Sequence, residues 1–304
     1  MRFRDALALV AMCLIWGFNF VVAKWAISGT PAWVAGYSGA PPFFFAFLRF
    51  ALLSLILIPW LRPVPKDWKR LIGAALCMGG LQYGLIFVGL QSATPSGMAI
   101  ALQLGVPFAT LLSVVWLKET LGPWRIAGTA AAFACVALVS ADPTQLTLSV
   151  GLLIGVLAAF ISAVGMVLVK SVDVGPIRLQ AWIGVISTPP LVVLTLLLEH
   201  DQIASVASGG WGFVLALAFT VLLVNVFGHG VFFHLLKRYD AALIAPLTLL
   251  APLAGVFFGI TVSGDPVGWR LLTGGAITLF GVGLVMVRRN RALPKAALVR
   301  EETL

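Results

Sequence analysis

Charge is what this chain has least of. Only 10% of its 304 residues are charged, 61% are hydrophobic and the mean hydropathy is +1.05, whereas soluble domains carry about 25% charged residues. So little polar surface cannot cover a water-soluble globule. Acidic residues are the scarcer sign, 11 against 20 basic ones. None lies deep within an apolar run, so the buried carboxylate that relays protons in many pumps is missing. Cysteine is sparse as well. Cys13, Cys77 and Cys135 each fall inside an apolar run without paired spacing, which fits small packing residues and speaks against disulfides or a metal centre. The chain has no GxxxxGK(S/T) phosphate loop, no HExxH, no nucleophile elbow and no paired catalytic carboxylates. ATP-driven work and enzymatic chemistry lose support, and no cofactor is expected. Residue-by-residue alternation of polar and apolar side chains is also lacking, which excludes a membrane β-barrel.

What the chain has in abundance is continuous apolar runs of about twenty residues, each able as a helix to cross a ~30 Å hydrocarbon layer. Ten spans are expected: Asp5 to Ala26, Pro42 to Leu61, Lys69 to Gln91, Pro95 to Leu117, Gly122 to Ser140, Val150 to Lys170, Arg178 to Leu198, Trp211 to Leu236, Ala241 to Val262, and Val267 to Val287. Arg2 and Arg4 ahead of the first run imitate a signal peptide, but that run is long, contains Asn19 and Lys24, and is followed by no clear cleavage site. With the N-terminus inside, Arg2, Arg4, Arg62, Lys66, Lys69, Arg70, Lys118, Arg125, Lys170, Arg178, Lys237, Arg238 and the tail from Arg288 all fall inside. Only Arg270 falls at the outer side. This positive-inside bias places both termini in the cytoplasm of a cell whose inner (plasma) membrane holds the protein. It also accounts for the formal charge of +9 without a nucleic-acid-binding face, which would need these charges gathered on one soluble surface. Every tryptophan except Trp16 falls near a span end or in a loop, the headgroup level that indole rings favour.

Shifting the sequence by 145 residues aligns Phe87 onward with Phe232 onward. Trp124-Arg125 then meets Trp269-Arg270, and Pro107 meets Pro252. A Trp-Arg pair and a mid-span proline in one register point to an internal repeat. The repeats cover 1–140 and 150–287, followed by a basic cytoplasmic tail, 288–304. Five spans per repeat is an odd number, so the second repeat enters the membrane in the opposite sense. The expected fold is all-α: ten transmembrane helices in two inverted five-helix repeats. In many secondary transporters such an arrangement holds substrate near the midplane.

Pro107 and Pro252 mark two helix kinks, because each lacks the N–H that would bond the carbonyl of Gln103 or Thr248. Backbone acceptors at membrane depth persist only against protein or a wet cavity. Gln103 and Thr248 are therefore candidate substrate contacts, together with Trp16, Asn19, Gln82, Tyr83, Ser162, Asn225 and His229. The alternative for each is interhelical hydrogen bonding worth about 0.6 kcal/mol. His229 can also titrate near neutral pH, which makes a proton a candidate coupling partner. Arg49 lies inside the second span, where a charge costs roughly 2.5 to 3.5 kcal/mol. Its readings are a structural charge that snorkels or pairs with carbonyls, which is favoured, and a contact to an anionic substrate group. Lys24, nearer a span end, is expected to snorkel, and Glu119 to cap a helix or pair with Arg125.

The residues reached so far carry a resemblance. Leu14-Ile15-Trp16-Gly17-Phe18-Asn19-Phe20, Leu48-Arg49-Phe50, Thr94-Pro95-Ser96-Gly97, Pro107, Leu117-Lys118-Glu119-Thr120, Gly228-His229-Gly230, Lys237-Arg238-Tyr239, Ala245-Pro246-Leu247 and Pro252 follow one another as in the EamA family of the drug/metabolite transporter superfamily. The resemblance spans nearly the whole chain. It implies inverted five-helix repeats and export of small metabolites, amino acids and their derivatives foremost, with spans one, three and eight similar to cysteine and O-acetylserine exporters. Three departures stand out. Lys118 replaces the usual glycine before Glu119, Ser263-Gly264-Asp265 replaces its second-half counterpart, and His229 stands where an aromatic residue is common.

The sequence thus reads as a secondary transporter that moves a small metabolite, an amino acid or derivative, outward by alternating access through a central cavity, with the lipid bilayer as its other partner. A non-transporting membrane scaffold or lipid-interacting protein and a passive channel are the rivals.

Overall fold

The structure is a computed structural model and describes residues 1–117, 123–142, 147–148, 150–169, 172–239, 244 and 247–287. Lys118, Glu119, Lys170, Ala245-Pro246 and the tail 288–304 lie outside the described residues, as do the side chains of Arg125, Cys135, Lys237 and Arg270.

Helix α1 (Phe3–Ser28) ends where Gly29 turns left-handed (φ 65°) and returns its N–H to the Trp25 carbonyl, a glycine C-terminal cap. Helix α2 (Pro42–Leu57) opens on proline, whose missing N–H has no partner to lose in a first turn. Its next free donors, the N–H groups of Phe43 and Phe44, bond to the two Glu199 oxygens at 2.7 and 2.9 Å. Glu199 directly follows helix α9 (Pro176–Leu198), so one carboxylate joins the start of α2 to the end of α9. Toward the other end of the pair, Gly184 lies beside Ser54. The two helices therefore run antiparallel along each other.

The expected third span is two helices, α3 (Trp68–Met78) and α4 (Gly80–Ser92), parted at Gly79 (φ −115°, ψ −98°). Ser187 of α9 causes the break. Its Oγ accepts from Gly80 N at 2.8 Å and donates to the Ala75 carbonyl at 3.3 Å, replacing a backbone partner with a side chain from another helix. A Cβ on residue 79 would stand 2.2 Å from that Oγ, so only glycine permits the approach.

The fourth span is α5 (Pro95–Ala101), a 3-10 turn over Leu102–Leu104, and α6 (Gly105–Leu117). The tightened turn holds Gln103, whose carbonyl Pro107 leaves without its helical donor. In the later region, Thr248 and Leu249 form a turn before α12 (Leu250–Thr261), and the Thr248 carbonyl accepts from Ala251 N at 3.0 Å. An irregular turn thus precedes each of the two prolines.

Between these regions run α7 (Pro123–Ser140), α8 (Val150–Val169), α9 and α10 (Gln202–Ala218), with a two-residue antiparallel strand pair, Ala141–Asp142 with Thr147–Leu148, between α7 and α8. Helix α10 begins before the expected Trp211 and is broken at Gly210 (φ 52°). It passes into a π-helical stretch, Phe219–Gly228, before α11 (His229–Arg238). Helix α13 (Trp269–Val287) closes the described chain.

Among the described residues, seven helical stretches are long and apolar enough to cross a membrane, with shorter apolar helices at Leu250–Thr261 and Leu271–Gly283. Outward faces carry Val115, Leu196, Leu197 and Leu215, each more than 60% exposed, a surface that hydrocarbon, not water, would cover. Helix α1 packs along α12 and the π stretch, α8 against α3, α4 and α6, α2 along α9, and α7 along α13. Elements from before residue 141 are therefore interleaved with elements from after residue 149, and the space between them is where the polar side chains meet.

Candidate functional site

Two adjoining cavities lie at this junction. The larger, about 250 Å³, is lined by Trp16, Asn19 and Phe20 of α1, Gln82, Tyr83 and Ile86 of α4, Ala99, Leu102 and Gln103 around the 3-10 turn, and Val224, His229, Ala251 and Pro252 from the later elements. The smaller, about 180 Å³, is lined by Phe50, Met78, Gln82, Tyr83, Ser162, Gln180, Ile183, Asn225 and His229. Gln82, Tyr83 and His229 are walls of both.

The structure thus brings Trp16, Asn19, Gln82, Tyr83, Gln103, Ser162, Asn225 and His229 together around one space. Thr248 lines neither cavity; it stands on the turn leading into α12. Of the two prolines, Pro252 is a wall while Pro107 sits further along α6. Gln180, close to a span end, and Ser187, a serine within an apolar run, are inconspicuous in the sequence. The adjacent glycines at 79 and 80 were the available sign of the helix break.

The π stretch arranges one wall. Its widened turns offer the Val224 carbonyl sideways, and two side chains use it. Trp16 Nε1 donates to it at 3.2 Å and His229 Nδ1 lies 3.2 Å away. A carbonyl only accepts, so Nδ1 carries the proton and the His229 tautomer is set by this bond. The two rings are 5.2 Å apart. Gly228 makes room for the indole, since a Cβ there would fall 2.3 Å from Trp16 Nε1. Helical stretches of this kind often occur at functional sites.

Arg49 stands directly behind two cavity walls. It is 0% exposed, its Nη2 donates to Asn225 Oδ1 at 2.7 Å, and its guanidinium carbon lies 4.2 Å from the Tyr83 ring centroid. Snorkelling, part of the favoured structural reading, is overturned: the side chain is enclosed between α2, α4 and the π stretch and reaches no interface. A charge-assisted hydrogen bond of about 1.5–3 kcal/mol and a desolvated cation–π contact of about 2 kcal/mol are enough to offset its insertion cost. Lys24 is half-buried. Its Nζ donates to the carbonyls of Leu90, Gln91 and Ala93, satisfying acceptors at the end of α4 that have no helical donor. Among the described residues, Arg49 Nε and Nη1, Asn225 Nδ2 and Asn19 Oδ1 are buried without a hydrogen-bond partner. Donors, acceptors and aromatic faces converge here on two adjoining spaces, each below the ~300 Å³ at which pockets for drug-sized ligands begin.

A family model described as the EamA-like transporter family matches the chain twice, over residues 4–141 and 149–287. The chain belongs to this family. It is accordingly a multi-pass membrane transporter that handles a small molecule within a lipid bilayer. As an EamA protein it is 27% identical over 263 residues to a probable amino-acid metabolite efflux pump of Escherichia coli, which covers 83% of this chain and 85% of that one. It is 26% identical to a probable amino-acid metabolite efflux pump of Salmonella typhimurium, over 92% of this chain and 93% of that one. An uncharacterized transporter of Bacillus subtilis is 28% identical, over 97% and 95%. A crystal structure with 18% sequence identity superposes with a TM-score of 0.53 over 96% of this chain and 100% of the other, a likeness of fold.

Proposed function

We propose that this EamA protein is a secondary exporter of small amphiphilic metabolites, amino acids or their derivatives, working by alternating access across the inner membrane with both termini cytoplasmic. In this reading ten helices form two five-helix units of opposite orientation, and substrate occupies the paired cavity between them near the midplane. The observation that carries it is the mixed ownership of that cavity. Trp16, Asn19, Gln82, Tyr83 and Gln103 come from the first family match, and Ser162, Gln180, Asn225 and His229 from the second. Rocking one unit against the other would therefore open and close the same walls to either side. Inversion is supported by α2 and α9, the second helices of the two units, which run antiparallel along each other; a pair related by an axis along the membrane normal would run parallel. The names of the two efflux pumps support amino-acid metabolites as cargo. With no carboxylate among the described cavity walls, His229 is the proposed proton-coupling group.

Counterflow into proteoliposomes tests the reading. Vesicles preloaded with an unlabelled compound should accumulate its labelled form, in a panel of amino acids, nucleobases and sugars. Saturable exchange for at least one class is expected. Protein-dependent leak without saturation would point to a channel, and no flux for any compound to a scaffold.

A further inference from the structure

The charge inventory of the site narrows its cargo. Arg49 is a fully enclosed cation, and among the described residues no acidic side chain forms an ion pair with it. Asp5 bonds Tyr239, Glu199 holds the start of α2, Asp265 holds Ser96 N, and Asp67 pairs with Arg70. Among the described residues, neither cavity has Asp or Glu in its walls. The guanidinium keeps Nε and Nη1 without partners, while its neighbours Tyr83 and Asn225 are cavity walls. A neutral amide and a phenol ring orient this cation without neutralising it.

We propose that the Arg49–Asn225–Tyr83 cluster is an anion-recognition site, and that the preferred cargo carries a carboxylate and no free ammonium group, as an N-acylated amino acid does. This rests on the transport reading above and specifies its substrate. Asn225 Nδ2, buried without a partner on a cavity wall, is free to donate to a carboxylate oxygen, and the Arg49 charge directly behind it, bonded to Asn225 Oδ1, favours an anion at that wall. A free ammonium, by contrast, meets no counter-charge among the described walls; it finds only neutral acceptors such as Asn19 Oδ1 and the faces of Trp16 and Tyr83, and the second of these already holds Arg49. A phosphate monoester, with a charge of about −1.5 to −2, would be left half-balanced by a single guanidinium. The remaining walls, Phe20, Ile86, Leu102 and Ala251, suit an apolar tail.

The test compares labelled phenylalanine and leucine with their N-acetyl forms and inorganic phosphate, in the same counterflow assay. The acetylated forms should exchange about tenfold faster or better than the parent zwitterions, because only the parents bring an ammonium that is desolvated without a counter-charge, and phosphate not at all. Arg49→Met should erase that preference, with the melting temperature in detergent read alongside, since the desolvated charge and its bond to Asn225 are lost together. Should that variant fold poorly, Asn225→Asp is the second arm: it keeps the shape, neutralises the guanidinium with an internal carboxylate, and should also suppress exchange of the acetylated forms. Equal rates for zwitterion and acetylated compound, faster phosphate exchange, or a folded Arg49→Met or Asn225→Asp protein that retains the preference would overturn the proposal. If neutral nucleobases or sugars exchange and the acetylated compounds do not, the anion site fails while transport stands. If nothing in either panel exchanges, the transport reading fails first.

Discussion

Removing one hydroxyl should loosen the helix junction that faces both cavities. Ser187→Ala takes away the acceptor of the Gly80 N–H, bonded at 2.8 Å, and the second donor of the Ala75 carbonyl, at 3.3 Å. The carbonyl keeps its bond from Gly79 N at 2.9 Å, so the loss falls on the amide. A buried donor left without a partner costs about 1–3 kcal/mol, and about 2 kcal/mol is expected here, a change of some thirtyfold in the unfolding equilibrium. Unfolding the purified protein with SDS in mixed micelles, followed by helical circular dichroism, gives the number. The geometry adds a coupling test. Gly79→Ala would place a Cβ 2.2 Å from Ser187 Oγ, 2.7 Å from Ile183 Cγ2 and 2.8 Å from the Ala75 carbonyl, an overpacking worth about 1–3 kcal/mol. With Ser187 already replaced by alanine the closest of these contacts is gone, and the glycine substitution should cost at least 0.5 kcal/mol less than in the parent. Strict additivity, or a Ser187→Ala protein within about 0.5 kcal/mol of the parent, the range of a neutral surface change, would show that the hydroxyl does not hold the break open.

Three further outcomes follow from the site and its frame. Glu199→Ala removes both side-chain bonds to the start of α2 and should lower stability by about 0.5–2 kcal/mol in the same SDS titration, whereas Glu199→Gln, which keeps an acceptor oxygen, should lose less; equal losses would reject the capping role. His229→Gln keeps a group that can donate to the Val224 carbonyl but cannot titrate, so stimulation of export by a pH gradient should vanish while counterflow exchange persists. Undiminished stimulation in that variant rejects His229 as the coupling group. In a protein with its native cysteines replaced, Gln103→Cys should react with a small water-soluble thiol reagent and be protected by transported substrate, while Thr248→Cys should show no substrate protection; the reverse pattern would misplace the cavity.

Much of the site was legible in the sequence because cost makes polar residues conspicuous. In a chain with so few polar groups, Trp16, Asn19, Gln82, Tyr83, Gln103, Ser162, Asn225 and His229 stood out inside apolar runs, and all of them line the cavities. The proline rule pointed to the two irregular turns, 102–104 and 248–249, since a missing N–H acts on a carbonyl four residues away whatever surrounds it. Thr248 was nominated by the same rule, but a freed carbonyl can be satisfied locally, and Ala251 N does so. The break at Gly79 and the π stretch had no such local cause. One depends on Ser187 and the other is used by Trp16, each far away in the chain.

By itself the sequence determined that this protein lives in a bilayer, which parts of it repeat and which residues were too polar to face lipid, because hydropathy, repeat register and proline chemistry are properties of the chain alone. Whether Arg49 reaches an interface or is enclosed between Tyr83 and Asn225, and which helices share a cavity, only tertiary structure decided. Those outcomes depend on how helices distant in sequence approach one another, and side-chain reach alone does not specify the partner.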